Sequence, residues 1–349
     1  MPQVIRTALA AFGMSGQVFH APFLHADPHF ALVRVYERAK SLSREEYPQV
    51  EVVRSFDEVL TDDVDLVVVN TPNTLHAPMV RQALLAGKHV VVEKPIAATS
   101  AEALELCRLA RQQGKVLTVY QNRRLDSGFV TLKGLIEAGE LGNVLDYEAH
   151  YDRFERGVYR KAWKNEVAPG VNILYDLGVH IIDQAYSLFG LPQEVYADFR
   201  KQRSETPGFD NFQVILYYDS GLRAILSAGE LIAKQGPLFA VSGTKGTYVK
   251  YGLDPQEELL KAGARPISTP NWGVEDPQYY GVLAQDDGQT IKERVVPTAV
   301  SSYGAYYDNL YRAITQGAPL LVPGEEAVDV LRILEAAQRS NQEKRRVTL

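Results

Sequence analysis

The sequence predicts an α/β protein in which a doubly wound parallel sheet is followed by an α+β domain with a large, open, mostly antiparallel sheet. The 349 residues are 46% hydrophobic, which suffices for two separate cores. Up to residue 122, short β-branched runs alternate with helical patterns, as in repeated βαβ units. Beyond that point the strands are longer and alternate between apolar and polar residues. We therefore expect domains at 1–122 and 123–349, with the final helix able to pack back on the first domain.

The composition excludes several classes of partner. A formal net charge of -6, with 37 dispersed Lys and Arg, argues against nucleic acid, which requires a concentrated basic surface. The single cysteine, Cys107, excludes an internal disulfide and is typical of a reducing compartment. No apolar run approaches the roughly 20 residues of a membrane span, and the amino terminus does not resemble a signal peptide. We expect a cytoplasmic protein without membrane contact.

The first strand, predicted at 4–11, leads into a turn with two glycines, Phe12-Gly-Met-Ser-Gly16, and then into a helix. Such a turn would let the backbone approach a pyrophosphate while the N–H groups of the helix start face it. The full dinucleotide fingerprint is G-x-G-x-x-G, and Ala11 stands at its first glycine. The second strand, 31–36, ends at Glu37, at the spacing expected for a carboxylate that binds a ribose hydroxyl. This context favours dinucleotide binding over a plain strand-turn-helix.

Further strands of this domain are predicted at 50–53, 66–69, 90–92 and 116–120, and helices from Ser55, from the segment after residue 73 to Gly87, and at 100–113. Polar residues follow three of the strands, among them Asn70 and Lys94. Because the carboxyl ends of parallel strands share one edge of the sheet, this edge is a candidate ligand site. Pro95 keeps Lys94 out of the α region and so holds it at the rim. A lysine that only solvates a loop is the alternative.

The second domain is predicted to contain a helix at 127–139, strands at 144–152, 211–218, 222–227, 239–242 and 247–251, and helices at 302–315 and 325–338. Two stretches lack periodicity. The first, 151–172, carries Tyr159 and Trp163 and is interpreted as a loop over a site rather than a disordered surface segment. The second, 271–290, is predicted to be irregular.

The segment 174–184 has helical spacing, which places Asp176, His180 and Asp183 on one face. Asp176 could hold the imidazole of His180 while that ring exchanges a proton with a substrate. A metal bound by both residues and a capped helix with an incidental histidine are the alternatives. Gly178 costs a helix about 1 kcal/mol relative to Ala, and a close nicotinamide ring would explain it.

These motifs resemble the Gfo/Idh/MocA oxidoreductases over essentially the whole chain. The resemblance rests on the glycine turn with Phe19-His-Ala-Pro22, Asn70-Thr-Pro-Asn73, Glu93-Lys-Pro95, Tyr120-Gln-Asn-Arg-Arg124 and Asp176-Leu-Gly-Val-His180. It implies a Rossmann cofactor domain, a C-terminal domain whose open sheet is used for oligomerisation, and a catalytic set at Lys94, Asp176 and His180. Further runs, such as 248–254 and 271–273, are similar to the branch with NADP-linked inositol dehydrogenases. Two residues depart from the family pattern. Ala11 stands in place of the first glycine, and Glu37 is a carboxylate where a strictly NADP-selective member would avoid one.

The predicted site has three groups of residues, and no metal is expected. The catalytic residues are Lys94, Asp176 and His180. The substrate-binding residues are Arg123, Tyr159, Trp163, Asp176 and His180. The cofactor-binding residues are Phe12, Gly13, Met14, Ser15, Gly16, Glu37, Arg38, Asn70, Thr71, Pro72, Asn73, His76, Glu93, Lys94, Pro95 and Asn122. For Asn73 and His76, a helix cap and a first-turn surface position are at least as good a reading as a ligand contact.

We expect an NAD(P)-dependent dehydrogenase of a polyhydroxy substrate, an inositol or a sugar. The cofactor is NAD or NADP, with a slight preference for NAD because of Glu37, although Arg38 could pair with a 2'-phosphate if Glu37 turned away. An NAD-dependent glycosidase that oxidises a ring carbon transiently, and a cofactor-binding sensor without turnover, are the alternatives. The apolar face of the second sheet predicts a homodimer or homotetramer.

Overall fold

The computed structural model describes residues 3–157, 172–206 and 208–349. The chain divides into two compact units, each assembled from three segments. The first comprises Met1–Asn122, Pro255–Trp272 and Ser302–Val328, and the second comprises Arg123–Asp254, Gly273–Ser301 and Asp329–Leu349. The domain boundary between residues 122 and 123 stays a prediction.

The first unit is built on a six-stranded parallel sheet in the order β3-β2-β1-β4-β5-β6. Its strands are β1 Ile5–Leu9, β2 Phe30–Tyr36, β3 Glu51–Val53, β4 Leu66–Val69, β5 His89–Val92 and β6 Leu117–Val119. The four residues of β4 are fully buried, as expected for a central strand covered on both faces. The strand order reverses at β1 and β4, which is where such sheets place their ligands. The predicted doubly wound sheet is confirmed.

The second unit contains a nine-stranded sheet in the order β14-β13-β12-β11-β7-β10-β9-β8-β15. Its strands are β7 Val144–His150, β8 Glu194–Arg200, β9 Asn211–Tyr217, β10 Arg223–Gly229, β11 Phe239–Gly243, β12 Gly246–Lys250, β13 Gly281–Asp286, β14 Ile291–Val296 and β15 Val347–Thr348. Every neighbouring pair is antiparallel except β7 with β10. Phe212, Val214 and Leu216 of β9 are buried, and the residues between them are more exposed. The predicted open, mostly antiparallel sheet is confirmed.

The helices of the described residues are α1 Ala21–Ala26, α2 Leu42–Glu46, α3 His76–Leu85, α4 Ser100–Gln112, α5 Ser127–Glu137, α6 Val179–Phe189, α7 Gln256–Lys261, α8 Gly304–Gln316 and α9 Gly324–Glu343. Two of them are preceded by a π-helical turn, Gly16–His20 before α1 and Leu174–Gly178 before α6. Turns of this kind are rare in proteins, and those that occur are often found at functional sites. None of the described helices is long and apolar enough to cross a bilayer.

Two predictions about elements were wrong. The stretch 271–290, predicted to be irregular, contains β13, and the helix predicted from Ser55 is only the 3₁₀ turn Asp57–Val59. Strands β8, β14 and β15 and helices α2 and α7 were not predicted. Five of the six residues of β14 are exposed, so no alternation marks one face as buried. In β8 the alternation of Val195, Ala197 and Phe199 is present, and it would have identified the strand.

Gly178 has a packing explanation within its own unit. A Cβ added there would lie 2.8 Å from Leu174 Cδ1 and 3.1 Å from Phe212 Cζ. Its φ of -60° and ψ of -39° are ordinary helical values, so size rather than backbone freedom requires glycine. The explanation by a nicotinamide ring is therefore replaced by contact with these two side chains.

We predict that Gly178→Ala lowers the free energy of unfolding by about 1–2 kcal/mol without any ligand, because overpacking exceeds the gain in helix propensity. Gly134→Ala is the matched control, since it lies in α5 with nothing within 4 Å of its Cβ. That variant should be more stable by up to about 1 kcal/mol. Urea unfolding of both variants measures this. A Gly178→Ala protein of unchanged stability that binds cofactor poorly would restore the nicotinamide explanation.

Candidate active site

Polar side chains line the carboxyl edge of the parallel sheet in the first unit. Asn70 follows β4, Glu93 and Lys94 follow β5, and Gln121 and Asn122 follow β6. The parallel pairing of β4 with β5 and of β5 with β6 places all three strand ends on the same edge. This edge is the one predicted from the sequence to bind a ligand.

The glycine turn leaves an open surface at this edge. A Cβ on Gly13 would meet nothing within 4 Å, whereas a Cβ on Gly16 would lie 2.7 Å from the Ala11 carbonyl oxygen and 3.0 Å from Asn70 Nδ2. Asn70 Nδ2 donates to that same carbonyl at 2.9 Å. Close packing at Gly16 is thus kept although Ala11 replaces the first glycine. Gly13 provides the space into which a pyrophosphate could approach the backbone.

Asn70 also supplies an acceptor at this surface. Its side chain is 7% exposed, and within the described residues its Oδ1 has no hydrogen-bond partner. A buried amide oxygen without a donor costs free energy, and a ribose hydroxyl would satisfy it. The open turn and this acceptor both fit a dinucleotide.

Glu37 is turned into the protein. Its carboxylate accepts hydrogen bonds from the backbone N–H of Leu42 at 3.0 Å and of Ser43 at 2.9 Å, and from the Ser43 hydroxyl at 2.6 Å. It therefore caps the start of α2 and is only 8% exposed. Arg38 and Lys40 beside it are exposed.

His76 connects two loops of the edge. Its Nδ1 lies 2.7 Å from the Pro95 carbonyl oxygen and its Nε2 lies 2.8 Å from the Thr71 carbonyl oxygen. The ring is fully buried. Burial lowers the pKa of His76, while the two carbonyls and the Glu93 charge oppose this. The geometry gives His76 a role in holding the loops after β4 and β5 together.

Glu93 and Lys94 stand at the end of β5, and the peptide bond from Lys94 to Pro95 is cis. Burial would raise the pKa of Glu93, but hydrogen bonds from His20 and Ser15 and the charge of Lys94 lower it to about 2. Glu93 is thus ionised next to the Lys94 ammonium. A neighbouring carboxylate favours the charged form of an amine.

In the second unit, the helical segment with Asp176 and His180 begins with an asparagine cap. The Asn172 side-chain oxygen accepts from the backbone N–H of Leu174 at 2.9 Å and of Tyr175 at 3.2 Å. Asp176 lies in the π-helical turn and is half-buried, and His180 in α6 is 8% exposed. The turn that carries Asp176 is π-helical rather than α-helical, and the placement of Asp176 and His180 on one face stays a prediction.

Asp183 belongs to a separate ion pair. Its oxygens accept from Arg124 Nε at 2.8 Å and from Arg124 Nη2 at 2.6 Å, and both side chains are buried. The polar stripe predicted on this helix therefore divides into a structural pair at Asp183 and a candidate catalytic pair at Asp176 and His180.

Arg123 lies in a cluster of polar side chains, some of which were not predicted from the sequence. Its guanidinium carbon is 5.7 Å from the centre of the Tyr151 ring, and its Nη1 is 3.5 Å from Asp126 Oδ2. The Tyr151 hydroxyl donates to Asp126 at 3.1 Å, and the Tyr151 ring is 6.5 Å from the His180 ring. Gln184 Nε2 donates to the Arg123 carbonyl at 2.8 Å.

The missed residues of this cluster are Asp126, Tyr151 and Gln184. Asp126 stands where a helix cap is expected, just before Ser127, and Tyr151 directly follows β7, so neither residue was marked as functional by the sequence. Burial, and then the Asp126 charge, raises the pKa of Tyr151 well above its usual range, which keeps the hydroxyl a donor. Tyr159 and Trp163, predicted to bind substrate, lie outside the described residues.

Comparison with known proteins identifies the family. Residues 5–121 match the model of the oxidoreductase family with an NAD-binding Rossmann fold, and residues 133–349 match the model of its C-terminal alpha/beta domain. The chain belongs to the Gfo/Idh/MocA oxidoreductase family. The resemblance found from the motifs is thereby confirmed, and the first unit carries the family's NAD-binding Rossmann fold.

Relatives within the Gfo/Idh/MocA family match over nearly the full length. The chain is 37% identical over 346 residues to scyllo-inositol 2-dehydrogenase (NADP(+)) IolW of Bacillus subtilis, covering 99% of this chain and 96% of that protein. The solved structure of yvaA from Bacillus subtilis has a TM-score of 0.96 at 36% identity and covers 100% of this chain and 99% of that one. A structure from Bacteroides fragilis gives a TM-score of 0.91 at 41% identity, with 99% and 100% covered.

The name of a more distant relative describes an enzyme that acts on a nucleotide sugar. It is dTDP-3,4-didehydro-2,6-dideoxy-alpha-D-glucose 3-reductase of Streptomyces violaceoruber, 32% identical over 167 residues and covering 48% of each chain.

Proposed function

We propose that this protein is an NADP-linked dehydrogenase that oxidises a secondary alcohol of an inositol or a related cyclic polyol. The observation that carries the proposal is Lys94, which follows β5 on the same sheet edge as the open turn at Gly13. Family membership supports an oxidoreductase. The name of one relative, scyllo-inositol 2-dehydrogenase (NADP(+)), supports a polyol substrate.

The residues divide the chemistry between a base and a cation. A bound nicotinamide cofactor would supply the acceptor for the hydride that leaves the carbinol carbon. His180 takes the hydroxyl proton as the carbonyl forms. Lys94 donates a hydrogen bond to the same oxygen and stabilises its developing negative charge. Asp176 positions the imidazole or the substrate.

The cationic role of Lys94 is favoured over a role as base. The Glu93 carboxylate is ionised beside it, since its pKa is lowered to about 2 after His20, Ser15 and Lys94 offset the effect of burial. A general base at this position would require an environment that disfavours the ammonium. The adjacent carboxylate does the opposite.

We predict that His180→Ala and Lys94→Ala each lower the rate of hydride transfer by about 10²–10⁴-fold, the usual value of acid–base catalysis. Single-turnover absorbance of the reduced nicotinamide measures this, with cofactor affinity determined separately. The exposed His25→Ala and Lys133→Ala variants are matched controls. Near wild-type transfer in both active-site variants would show that the site assignment is wrong. A large loss in Lys94→Ala alone would give Lys94 the role of base.

NADP is favoured over NAD because the Glu37 carboxylate is engaged with α2 rather than free to repel a 2'-phosphate. Arg38 and Lys40 remain exposed at the end of β2. Arg54 adds positive charge there, donating to the Glu37 carbonyl at 2.7 Å and to the Ser41 hydroxyl at 2.8 Å. This reverses the slight preference for NAD drawn from the sequence.

We predict that Arg38→Ala lowers kcat/KM for NADP by about tenfold, the value of one hydrogen bond to a charged group, and leaves that for NAD unchanged. Glu37→Ala should keep the NADP to NAD ratio but lower the free energy of unfolding by about 1–3 kcal/mol, since α2 loses its cap. The exposed Arg44→Ala variant in α2 is the control. A wild-type preference for NAD that disappears in Glu37→Ala would contradict this assignment.

The open face of the nine-stranded sheet supports a homodimer or homotetramer. Tyr196, Ile215, Ile225 and Val249 lie on this face and are partly exposed, while their neighbours along each strand are buried. Extended apolar surface on a folded chain favours association. Sedimentation equilibrium should give a mass of two or four chains, and a monomer mass at all concentrations would refute the proposal.

A further inference from the structure

The carboxylate of Glu93 joins the glycine turn to Lys94. The Ser15 hydroxyl donates to Glu93 Oε1, and His20 Nε2 lies 3.1 Å from the same oxygen. The other oxygen, Oε2, accepts from the backbone N–H of Lys94 at 3.2 Å. One side chain thus connects Ser15 of the glycine turn and His20 of the π-helical turn with Lys94, the residue proposed to contact the substrate.

A buried tyrosine orients the histidine of this contact. His20 Nδ1 lies 2.6 Å from the Tyr307 hydroxyl, and both side chains are fully buried. Burial, and then nearby Tyr120, Tyr306 and Glu93, raises the pKa of Tyr307 well above its usual range. The phenol therefore keeps its proton. In the imidazole tautomer with its N–H at Nε2, the Tyr307 hydroxyl donates a hydrogen bond to Nδ1. That N–H then donates to Glu93.

The π-helical turn explains how Ser15 and His20 reach one oxygen. In an α-helix each residue turns the chain by about 100°, so residues five apart point about 140° away from each other. In a π-helical turn the N–H bonds to the carbonyl five residues back, as Ala21 does to Gly16. Residues five apart then point in directions much closer to each other than the 140° separation of an α-helix. Ser15 and His20 have this separation.

We propose that the π-helical turn Gly16–His20 is a positioning device: it brings Ser15 and His20 onto Glu93, which then fixes Lys94 relative to the glycine turn. Ser15 and His20 are positioning residues, because they act through Glu93. The inference deepens the proposed function and rests on its assignment of Lys94. The sequence prediction had Ser15 and Glu93 each contact the cofactor. In the present proposal they contact each other instead.

A double-mutant cycle tests the contact without any substrate. Ser15→Ala should raise the Kd for NADPH, measured by nicotinamide fluorescence, by about tenfold, the value of a hydrogen bond to a charged group. In the Glu93→Gln background the same substitution should cost only about threefold, since a neutral acceptor binds about half as strongly. Equal factors in the two backgrounds would overturn the proposal, because Ser15 would then act on the cofactor directly.

Two further variants separate positioning from loss of structure. Ser15→Thr keeps a hydroxyl and should return the Kd to within about twofold of wild type. The exposed Ser220→Ala and Glu105→Gln variants should leave the Kd unchanged. Failure of Ser15→Thr to rescue binding would contradict a role of the hydroxyl.

The pH profile tests the connection to Lys94. Glu93→Gln removes a negative charge next to the ammonium, so the alkaline limb of the single-turnover rate should move to lower pH. If the alkaline limb does not move, the contact of the π-helical turn with Glu93 does not act on Lys94. If Lys94→Ala transfers hydride normally while the Ser15 and Glu93 coupling persists, the proposed function fails and the contact itself stands.

Discussion

The structure of the first unit depends on hydrogen bonds that stabilise the negative charge of one carboxylate, that of Glu93. A charge largely removed from water is tolerated only when it is paired and hydrogen-bonded. The Glu93 side chain is 14% exposed and follows a strand whose three valines are fully buried. The compensating groups come from distant parts of the chain: Ser15 and His20 near the first helix and, behind His20, Tyr307 in α8. The same requirement therefore shapes the glycine turn, the π-helical turn and the surroundings of Lys94.

The second unit follows the same rule around its candidate residues. Arg124 and Asp183 form a buried bidentate pair, which is strong and directional. Asp126 accepts from Tyr151, whose ring is 5.7 Å from the Arg123 guanidinium carbon and 6.5 Å from the His180 ring. The helix that carries His180 is thus fixed at one side by an ion pair and faces an ordered cluster of polar groups. Preorganised donors and acceptors of this kind are what acid–base catalysis requires.

The sequence was sufficient for features with a periodic or spacing signal. Buried β-branched runs such as 66–69 predicted the parallel strands, and Asp176 with His180 marked the second motif. The π-helical turn Gly16–His20 could not be predicted, because the hydrogen bonds of Ser15 and His20 to Glu93 join residues far apart in the sequence. The direction of the Glu37 carboxylate was equally hidden. It depends on α2, a five-residue helix with almost no periodicity.

The most direct test of the account is a screen of inositols and aldoses for reduction of NADP and NAD, followed by the absorbance of the reduced nicotinamide. We predict that at least one inositol reduces NADP, at a higher kcat/KM than it reduces NAD. This would be contradicted if the protein bound NADPH but no member of the panel reduced either cofactor.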